Sequence, residues 1–385
     1  MNGNPHADTG VNGLHVNGIS SADSANQAAT EETRFELCVI EGDGIGHEVI
    51  PAALRVLKIV LPDAIIHQHQ AGWEMFQRHG IPLDDEVIES ARRAGAVLFT
   101  SAQSPSYSVD GYYVPTVRLR RSLEVYANLR PTRYYPVPSA RENVNLLVVR
   151  ENTEDLYAGS EHTEQDASGG SVGVTEKIIT ETATRRVAHK AFELAVTGGR
   201  RKVTIVHKAS VMTQSDGLFR KVALDVAAQY PEIYTDELLV DTAAYWMVKD
   251  PARFDVVLTP NLYGDILSDM AAAWGGGIGL APSLSVGDQV SIAAPVHGCA
   301  PDIAGKNIAN PTATMLSLAM LLSYHWGRRD LAWQIEAAIR ATLNEGSHTA
   351  DIDPVDHLST TEFTDRVCVH LTQIIKNASL GGEVL

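Results

Sequence analysis

Cysteine is scarce in this chain. Its three cysteines, Cys38, Cys299 and Cys368, lie far apart and form no CxxC pair, which argues against both a disulfide framework and a zinc knuckle. Thiols that stay reduced fit the cytoplasm. We therefore predict a cytoplasmic location.

Positive charge and long hydrophobic runs are also lacking. The 31 lysines and arginines are outnumbered by 47 acidic residues, for a formal net charge of −16, and they form no basic stripe suited to a nucleic-acid backbone. No stretch reaches the ~20 uncharged apolar residues of a membrane helix. We expect neither nucleic acid nor a membrane as a partner.

The first 33 residues contain no lysine, no arginine and no apolar run. They therefore match neither a secretory signal nor an arginine-rich transit peptide. Their Gly, Asn, Ser and Ala content predicts that residues 1–33 form a disordered tail.

What the chain does contain is an alternation of β-branched and helical segments. Strand-like runs include FELCVI, AVLFT, VNLLVVR, KVTIVH and FDVVLT, and helical segments include 117–127 and, at the end of the chain, 312–325, 330–344 and 360–377. With 385 residues and 44% hydrophobic content, this pattern predicts an α/β protein with a buried sheet and length for two domains. The polar stretch 159–173 reads as a hairpin arm.

The segment EGDGIG, Glu41–Gly46, lies between a predicted strand and a predicted helix, where a phosphate-binding loop would lie. Asp63 follows at roughly the distance of a Rossmann acid. The glycines do not have the GxGxxG spacing, however, so we favour a tight turn with positive φ over a Rossmann site.

Two acids, Asp265 and Asp269, lie one helical turn apart in the apolar segment NLYGDILSDMAAAWGGG. Their carboxylates would repel each other and would be costly to bury, so a cation is expected beside them. Hard oxygen ligands on one helix face suit Mg²⁺ or Mn²⁺, and Asp241 could complete the set. A solvated helix face is the alternative, although the flanking residues are very apolar for one.

Arg120, Arg130 and Arg150 could bind a di- or tricarboxylate if they converge, because a guanidinium matches a carboxylate with two hydrogen bonds. Sequence spacing cannot show convergence, and each could instead be a surface arginine. Tyr157 and Lys208 are possible proton-transfer groups, with ordinary packing as the alternative.

Six motifs occur in one order along the chain: GDGIG, YANLRP, VVRENTEDLYAG, VHKASVM, NLYGDILSD and VHGCAPDIAGKNIANPTA. In that order, from about Phe35 to the C-terminus, the chain closely resembles the β-decarboxylating dehydrogenases, the family of isocitrate, isopropylmalate, homoisocitrate and tartrate dehydrogenases. The resemblance implies an isopropylmalate dehydrogenase-like α/β fold, in which two domains share a continuous sheet and the active site lies in the interdomain cleft. We expect an outer, cofactor-side domain at 34–128 and 277–385, and an inner dimerisation domain at 129–276 with its arm at 159–175.

The resemblance also assigns roles to the candidate residues. It implies that the three arginines bind the carboxylates of a malate moiety, and that Asp265 and Asp269, with Asp241 of the other subunit, hold Mg²⁺ or Mn²⁺. Lys208 of the neighbouring subunit would take the C2 hydroxyl proton, and Tyr157 would protonate C3 after CO₂ is lost. A site shared between chains implies a homodimer or a larger assembly.

For the cofactor, the resemblance implies NAD bound along HGCAPDIAGKNIAN. The residues concerned are His297, Gly298, Ala300, Asp302, Ile303 and Asn310. Asp302 and Ile303 stand where NADP enzymes of the family commonly carry Lys and Tyr, and a carboxylate there would accept a ribose hydroxyl and repel a 2′-phosphate. Two departures bear on this site: Ala293 and Ala294 replace a usual Phe-Glu pair, and His47 replaces a common proline.

The loop and helix before Arg120 bear on the substrate. Isocitrate enzymes of the family typically carry Ser and Asn where this chain has Val114 and Thr116, so isocitrate is disfavoured. Homoisocitrate enzymes have an arginine at the place of Val117, whereas here Arg118 follows one place later. We rank homoisocitrate, or a close anionic analogue such as a phosphonomethylmalate, first, isopropylmalate second, and tartrate or D-malate third.

Two other classes of protein are alternatives. A non-catalytic regulatory subunit would be expected to lose part of the Tyr, Lys and Asp set, which is complete here. A metal-dependent hydrolase would leave the three arginines and the HGCAPDIAG stretch unexplained. We therefore predict a catalytic dehydrogenase.

Overall fold

A computed structural model describes residues 34–379 of the chain, so the predicted tail at 1–33 lies outside the described residues. The strands in that range are β1 (Glu36–Ile40), β2 (Ile65–His69), β3 (Ala96–Phe99), β4 (Ala127–Arg133), β5 (Asn145–Glu151), β6 (Glu161–Gln165), β7 (Ser171–Thr175), β8 (Lys202–His207), β9 (Tyr234–Leu239), β10 (Val256–Thr259), β11 (Leu284–Val286) and β12 (Ser291–Ala293). The helices are α1 (Gly46–Val60), α2 (Trp73–His79), α3 (Asp85–Ala94), α4 (Pro115–Ser122), α5 (Glu181–Thr197), α6 (Ser215–Ala227), α7 (Val240–Lys249), α8 (Asn261–Ala272), α9 (Thr312–Tyr324), α10 (Arg329–Asn344) and α11 (Thr360–Ser379).

Ten of the strands form one continuous sheet in the order β2-β1-β3-β12-β11-β4-β5-β10-β8-β9. Neighbours pair in parallel except in the middle, where β12, β11, β4 and β5 pair antiparallel. β6 and β7 form a separate antiparallel hairpin within the range predicted for the arm, 159–175. The predicted α/β fold with a continuous sheet is therefore confirmed.

The division into two domains stays a prediction. The described residues from Phe35 onward form one compact unit, and the predicted boundary at 128/129 falls inside β4, Ala127–Arg133. A boundary at that point would cut a paired strand. Among residues 34–379, no helix combines the length and the apolar character needed to cross a bilayer.

The runs predicted as strands became β1, β3, β5, β8 and β10. Every residue of β3 and β10 is buried, as expected for strands covered on both faces of a sheet. The predicted helix at 117–127 is wrong at its C-terminal end, because α4 stops at Ser122 and Glu124 adopts a φ of 51°. That turn lets the chain enter β4, a strand that the sequence pattern did not indicate.

The EGDGIG segment forms a tight turn between β1 and α1, as predicted. Gly42 and Gly44 have φ angles of 72° and 62°, and a Cβ on Gly44 would lie 2.3 Å from the carbonyl oxygen of Cys299. The carboxylate of Asp43, between the two glycines, accepts three backbone N–H groups at 2.7–2.9 Å. The turn therefore clamps neighbouring loops together.

We expect Gly44→Ala to destabilise the protein far more than Gly80→Ala. Both glycines have positive φ, 62° and 73°, but a Cβ on Gly80 meets no atom within 4 Å. Gly80→Ala should cost about 1 kcal/mol of unfolding free energy from backbone strain alone, and Gly44→Ala about 2 kcal/mol more because its Cβ overlaps a backbone carbonyl. Equal losses in denaturant unfolding would contradict the clamp.

Candidate active site

Asp265 lies at the centre of a cluster of charged side chains near the start of α8. Its Oδ1 accepts a hydrogen bond from the guanidinium of Arg150 and lies 3.0 Å from that of Arg130. Its Oδ2 accepts a 2.8 Å hydrogen bond from the hydroxyl of Tyr157. Burial alone would raise the pKa of Asp265, but Arg150 and Arg130 hold the pKa below its ordinary value. The carboxylate is therefore charged at neutral pH.

Arg150, on β5, is held by two features of the NLYGD motif. The side-chain oxygen of Asn261 accepts hydrogen bonds from Nε and a terminal nitrogen of Arg150, at 2.9 and 2.7 Å. A Cβ at position 264 would lie 2.6 Å from Cγ of Arg150, so Gly264 gives the helix room to pack over the arginine. Sequence reasoning missed both roles, although the Asn-x-x-Gly-Asp spacing carries the signal.

Arg130 reaches the same cluster from β4. Its guanidinium donates hydrogen bonds to Asn128 at 2.6 Å, to Ser268 at 2.8 Å and to Oδ1 of Asp269 at 3.2 Å. β4 pairs with β5 so that Asn128 lies opposite Arg150, which puts the two arginines on one face of the sheet. Strand register therefore brings them together.

Arg120, near the end of α4, completes the group of arginines. Burial, together with the positive charges of Arg150 and Arg130, lowers the pKa of Arg120 to about 9, against a smaller opposing effect of Asp265. A guanidinium with that pKa still carries its charge at neutral pH. The three arginines converge, so the reading of each as an isolated surface arginine is wrong.

The two acids of α8 differ in their surroundings. Burial raises the pKa of Asp269, and Arg130 only partly opposes that shift, whereas Asp265 lies between two arginines. The two carboxylates, one turn apart on one helix, offer hard oxygen atoms that fit Mg²⁺ or Mn²⁺. Within residues 34–379, no group of three or more Asp, Glu, His or Cys side chains is arranged to hold a metal ion.

Asp241 and Lys208 lie outside the cluster around Asp265 and contact each other. Asp241, in the first turn of α7, accepts a hydrogen bond from Nζ of Lys208, which lowers the pKa of Asp241. Its side chain is 63% exposed. The structure therefore brings Asp265 and Asp269 together but does not bring Asp241 to them within one chain.

A cleft lies beside the cluster, between α4 and the turn that carries Tyr157. Its lining includes Val114, Val117 and Arg118 on one side and Leu156, Tyr157 and Gly159 on the other. Arg118 forms a 2.6 Å ion pair with Asp85 and lies over the ring of Tyr113. The cleft thus has an aliphatic surface and two arginines: Arg118, whose charge is paired with Asp85, and Arg121, which donates to the carbonyl of Ala158 at 3.1 Å.

The candidate cofactor segment follows β12 and packs on α1. The carbonyl of Cys299 accepts the backbone N–H of Ile45 at 2.9 Å, and Gly305 donates its N–H to Glu48 at 2.6 Å. Ala300 has a φ of 42°. Ile303 joins a small apolar cluster with the first turn of α1, and Gly298 and Asp302 are exposed.

His297 is the feature of this segment that best fits a nucleotide. Its ring is buried, which lowers its pKa, and Nδ1 lies 3.0 Å from the carbonyl oxygen of Gly298. In the neutral ring Nδ1–H then donates, and Nε2 is a buried acceptor with no partner among the described residues. The exocyclic amine of an adenine would satisfy it. Asn310, by contrast, already bonds Asp351 and the backbone of Thr312.

The two departures noted in the sequence have simple local structures. Ala293 and Ala294 are buried, and the backbone of Ala294 pairs with that of Ser283. His47 bridges Glu41 and Glu74 through its two ring nitrogens, each at 3.1 Å.

The chain is similar to known dehydrogenases along nearly its whole described length. A family model for isocitrate/isopropylmalate dehydrogenase matches residues 36–367. The isocitrate/homoisocitrate dehydrogenase of Thermus thermophilus is 43% identical over 334 residues, 86% of this chain and 97% of that protein. The 3-isopropylmalate dehydrogenase of Archaeoglobus fulgidus is 44% identical over 86% of this chain and 98% of that protein.

The fold is matched as well. The crystal structure of isocitrate dehydrogenase from Methylococcus capsulatus aligns with a TM-score of 0.85 at 36% identity, over 88% of this chain and 99% of that one. The family match, the sequence identities and the structural similarity agree, and the chain belongs to the isocitrate/isopropylmalate dehydrogenase family of decarboxylating dehydrogenases.

Proposed function

We propose that the protein catalyses the NAD-dependent oxidative decarboxylation of a 3-substituted malate to a 2-oxo acid and CO₂. The observation that carries this proposal is the convergence of Arg120, Arg130 and Arg150 around Asp265 and Tyr157. Three guanidinium groups suit a substrate with two or three carboxylates. A carboxylate and a phenol beside them supply the groups for charge compensation and proton transfer.

The cofactors fit the side chains available for them. Bound NAD would accept the hydride from C2, and Mg²⁺ or Mn²⁺ held by Asp265 and Asp269, with Asp241 of a second chain, would polarise the C2 oxygen. The unpartnered Nε2 of His297 favours an adenine nucleotide, and the exposed carboxylate of Asp302 favours NAD over NADP by repelling a 2′-phosphate.

Two side chains transfer the protons in this proposal. Lys208 of a second chain takes the C2 hydroxyl proton as C2 is oxidised. CO₂ then leaves from C3, and the electron pair left behind takes a proton from Oη of Tyr157. Burial and the adjacent charge of Asp265 raise the pKa of Tyr157. Its hydroxyl therefore stays protonated and can donate to C3.

We rank homoisocitrate, or a close anionic analogue such as a phosphonomethylmalate, as the first substrate, because Arg118 lines the cleft. Its partner Asp85 is 80% exposed, and an exposed ion pair of this kind is weak enough for an anionic ligand to replace it. Isopropylmalate is second, since Val114 and Val117 line the same cleft and would contact an isopropyl group. Tartrate or D-malate is third, and isocitrate is disfavoured. A non-catalytic regulatory subunit remains the alternative from another class.

We propose that the active protein is at least a homodimer. Three large apolar side chains are each more than half exposed: Tyr245 and Val248, one and two turns after Asp241 on α7, and Ile266, which follows Asp265 on α8. The hairpin of β6 and β7 stands apart from the large sheet with most of its residues exposed, and an isolated two-stranded hairpin is marginally stable. Pairing of both surfaces with a second chain would cover them.

NADH formation tests the reaction. With Mn²⁺ and NAD, we expect turnover of one member of a panel containing homoisocitrate, isopropylmalate, isocitrate, D-malate, tartrate and phosphonomethylmalate. Asp265→Asn should reduce kcat/KM by at least about 100-fold, because the charge that orders the arginines is lost. Asp330→Asn, in an exposed ion pair with Arg328, is the matched control. No turnover of any substrate, with NADP and Mg²⁺ also tried, would favour the regulatory subunit.

Arg118→Gln tests how the distal group is recognised. If an anionic group contacts Arg118, the variant should raise KM about tenfold for homoisocitrate and leave KM for isopropylmalate unchanged. Arg185→Gln is the control, since Arg185 also pairs with an acid, Glu181, on the exposed surface of α5. An equal effect of Arg118→Gln on both substrates would argue against charge recognition.

Mixing two inactive variants tests whether sites are shared between chains. Asp265→Asn and Lys208→Met should each be inactive as pure proteins. Refolded together in equal amounts, they should recover about a quarter of the wild-type activity, because half of the dimers are hybrids with one intact site of two. A mixture as inactive as its components would mean that each chain builds its own site.

A further inference from the structure

A buried lysine outside the arginine cluster forms ion pairs with two buried acids. Nζ of Lys177, at the base of the β6–β7 hairpin, lies 2.7 Å from Oδ1 of Asp216 and 3.4 Å from Oδ1 of Asp155. The lysine side chain is 10% exposed and both acids are fully buried. Nζ also lies 4.3 Å above the ring centre of Tyr263 on α8. We call Lys177, Asp155 and Asp216 the buried triad.

Asp155 connects the triad to the candidate proton donor. Its Oδ2 accepts the backbone N–H of Leu262, in the first turn of α8, at 2.8 Å. Its carbonyl accepts the N–H of Ala158 at 3.2 Å and closes the short turn that carries Tyr157. Asp155 itself has φ 71° and ψ −146°, a conformation that costs a non-glycine residue free energy and persists only where surrounding contacts enforce it.

Asp216 connects the same triad to the candidate base. It lies in the first turn of α6, and its Oδ2 accepts the backbone N–H of Lys208 at 2.6 Å. The second oxygen of each acid faces Lys177, and among residues 34–379 no other cation lies within 4.0 Å of either carboxylate. Without Lys177, two buried carboxylates would lack a compensating charge.

We propose that Lys177 is a positioning residue that sets Tyr157 and Lys208 for proton transfer by holding Asp155 and Asp216 in place. The proposal rests on the proposed function. The contacts of Lys177 are with Asp155, Asp216 and Tyr263, none of which belongs to the arginine cluster. Lys177 acts by enforcing the strained backbone at Asp155 and the loop after β8. Its loss therefore weakens proton transfer while the arginines continue to bind substrate.

Lys177→Met tests this role by steady-state kinetics. We expect kcat to fall about tenfold or more while KM stays within about threefold, because Lys177 contacts no arginine of the cluster, whereas Asp155 and Asp216, which hold the turn of Tyr157 and the loop of Lys208, lose its charge. Lys202→Met is the matched control: it removes a lysine that forms a 2.8 Å ion pair with Asp236 on the edge of the sheet, without a contact to the triad. Parallel losses in the two variants, or a rise in KM with kcat unchanged, would overturn the proposal.

A second variant covers the case in which Lys177→Met does not fold. Lys177→Met combined with Asp155→Asn keeps the net charge of the triad at −1, and the asparagine oxygen can still accept from Leu262. We expect the same selective loss of kcat. Wild-type kcat in this double variant would overturn the role of Lys177.

Hydrogen exchange separates this inference from the proposed function. The amides of Ala158, Leu262 and Lys208 should exchange faster in the Lys177 variants than in wild type and in Lys202→Met. If the wild-type chain turns over no substrate while these amides still respond, the proposed reaction fails and the positioning by Lys177 stands. Unchanged exchange at all three amides would overturn the positioning.

Discussion

The site depends on one buried carboxylate among positive charges. Arg120, Arg130 and Arg150 would repel one another at the separations that bring them into one cluster, and the burial of Arg130 and Arg150 removes water that would screen these charges. Asp265 lies between two of these arginines and also accepts from Tyr157. It therefore offsets the repulsion among the three cations, and it also fixes the hydroxyl of Tyr157 by a hydrogen bond.

The net charge of the cluster explains which kind of ligand it suits. Three guanidinium charges and the two carboxylates of α8 leave one positive charge, in a chain whose formal net charge is −16. A local positive site on an acidic surface attracts small anions and favours no extended polyanion. The two acids also differ: Arg150 and Arg130 lower the pKa of Asp265, and burial raises that of Asp269. The arginines therefore stabilise the ionised form of Asp265 more strongly than that of Asp269.

Sequence patterns predicted the parts of the fold that are mainly aliphatic. β1, β3, β5, β8 and β10 are runs of buried aliphatic residues, and three closing helices match α9, α10 and α11. β4 escaped notice because its sequence, ANLRPTR, is polar where it faces the site. Convergence of the arginines could not be predicted from spacing, because it depends on the register of β4 against β5 and on the packing of α8 over Arg150. The ion pair of Arg118 with Asp85 could not be predicted either, because the two residues lie 33 positions apart in the chain.

The chemistry and the specificity of the site come from elements of different rigidity. Arg130, Arg150 and Asp265 are fixed by paired strands and by a helix that packs on them, and Asn261 and Gly264 leave little room for change there. The cleft wall comes from α4 and the irregular chain before it, where substitutions of side chains disturb no strand register. Relatives of nearly equal identity, 43% and 44%, carry names for different substrates. Under the proposed function, the constrained arginine cluster would therefore carry the reaction, and the wall at Val114, Val117 and Arg118 would select the substrate.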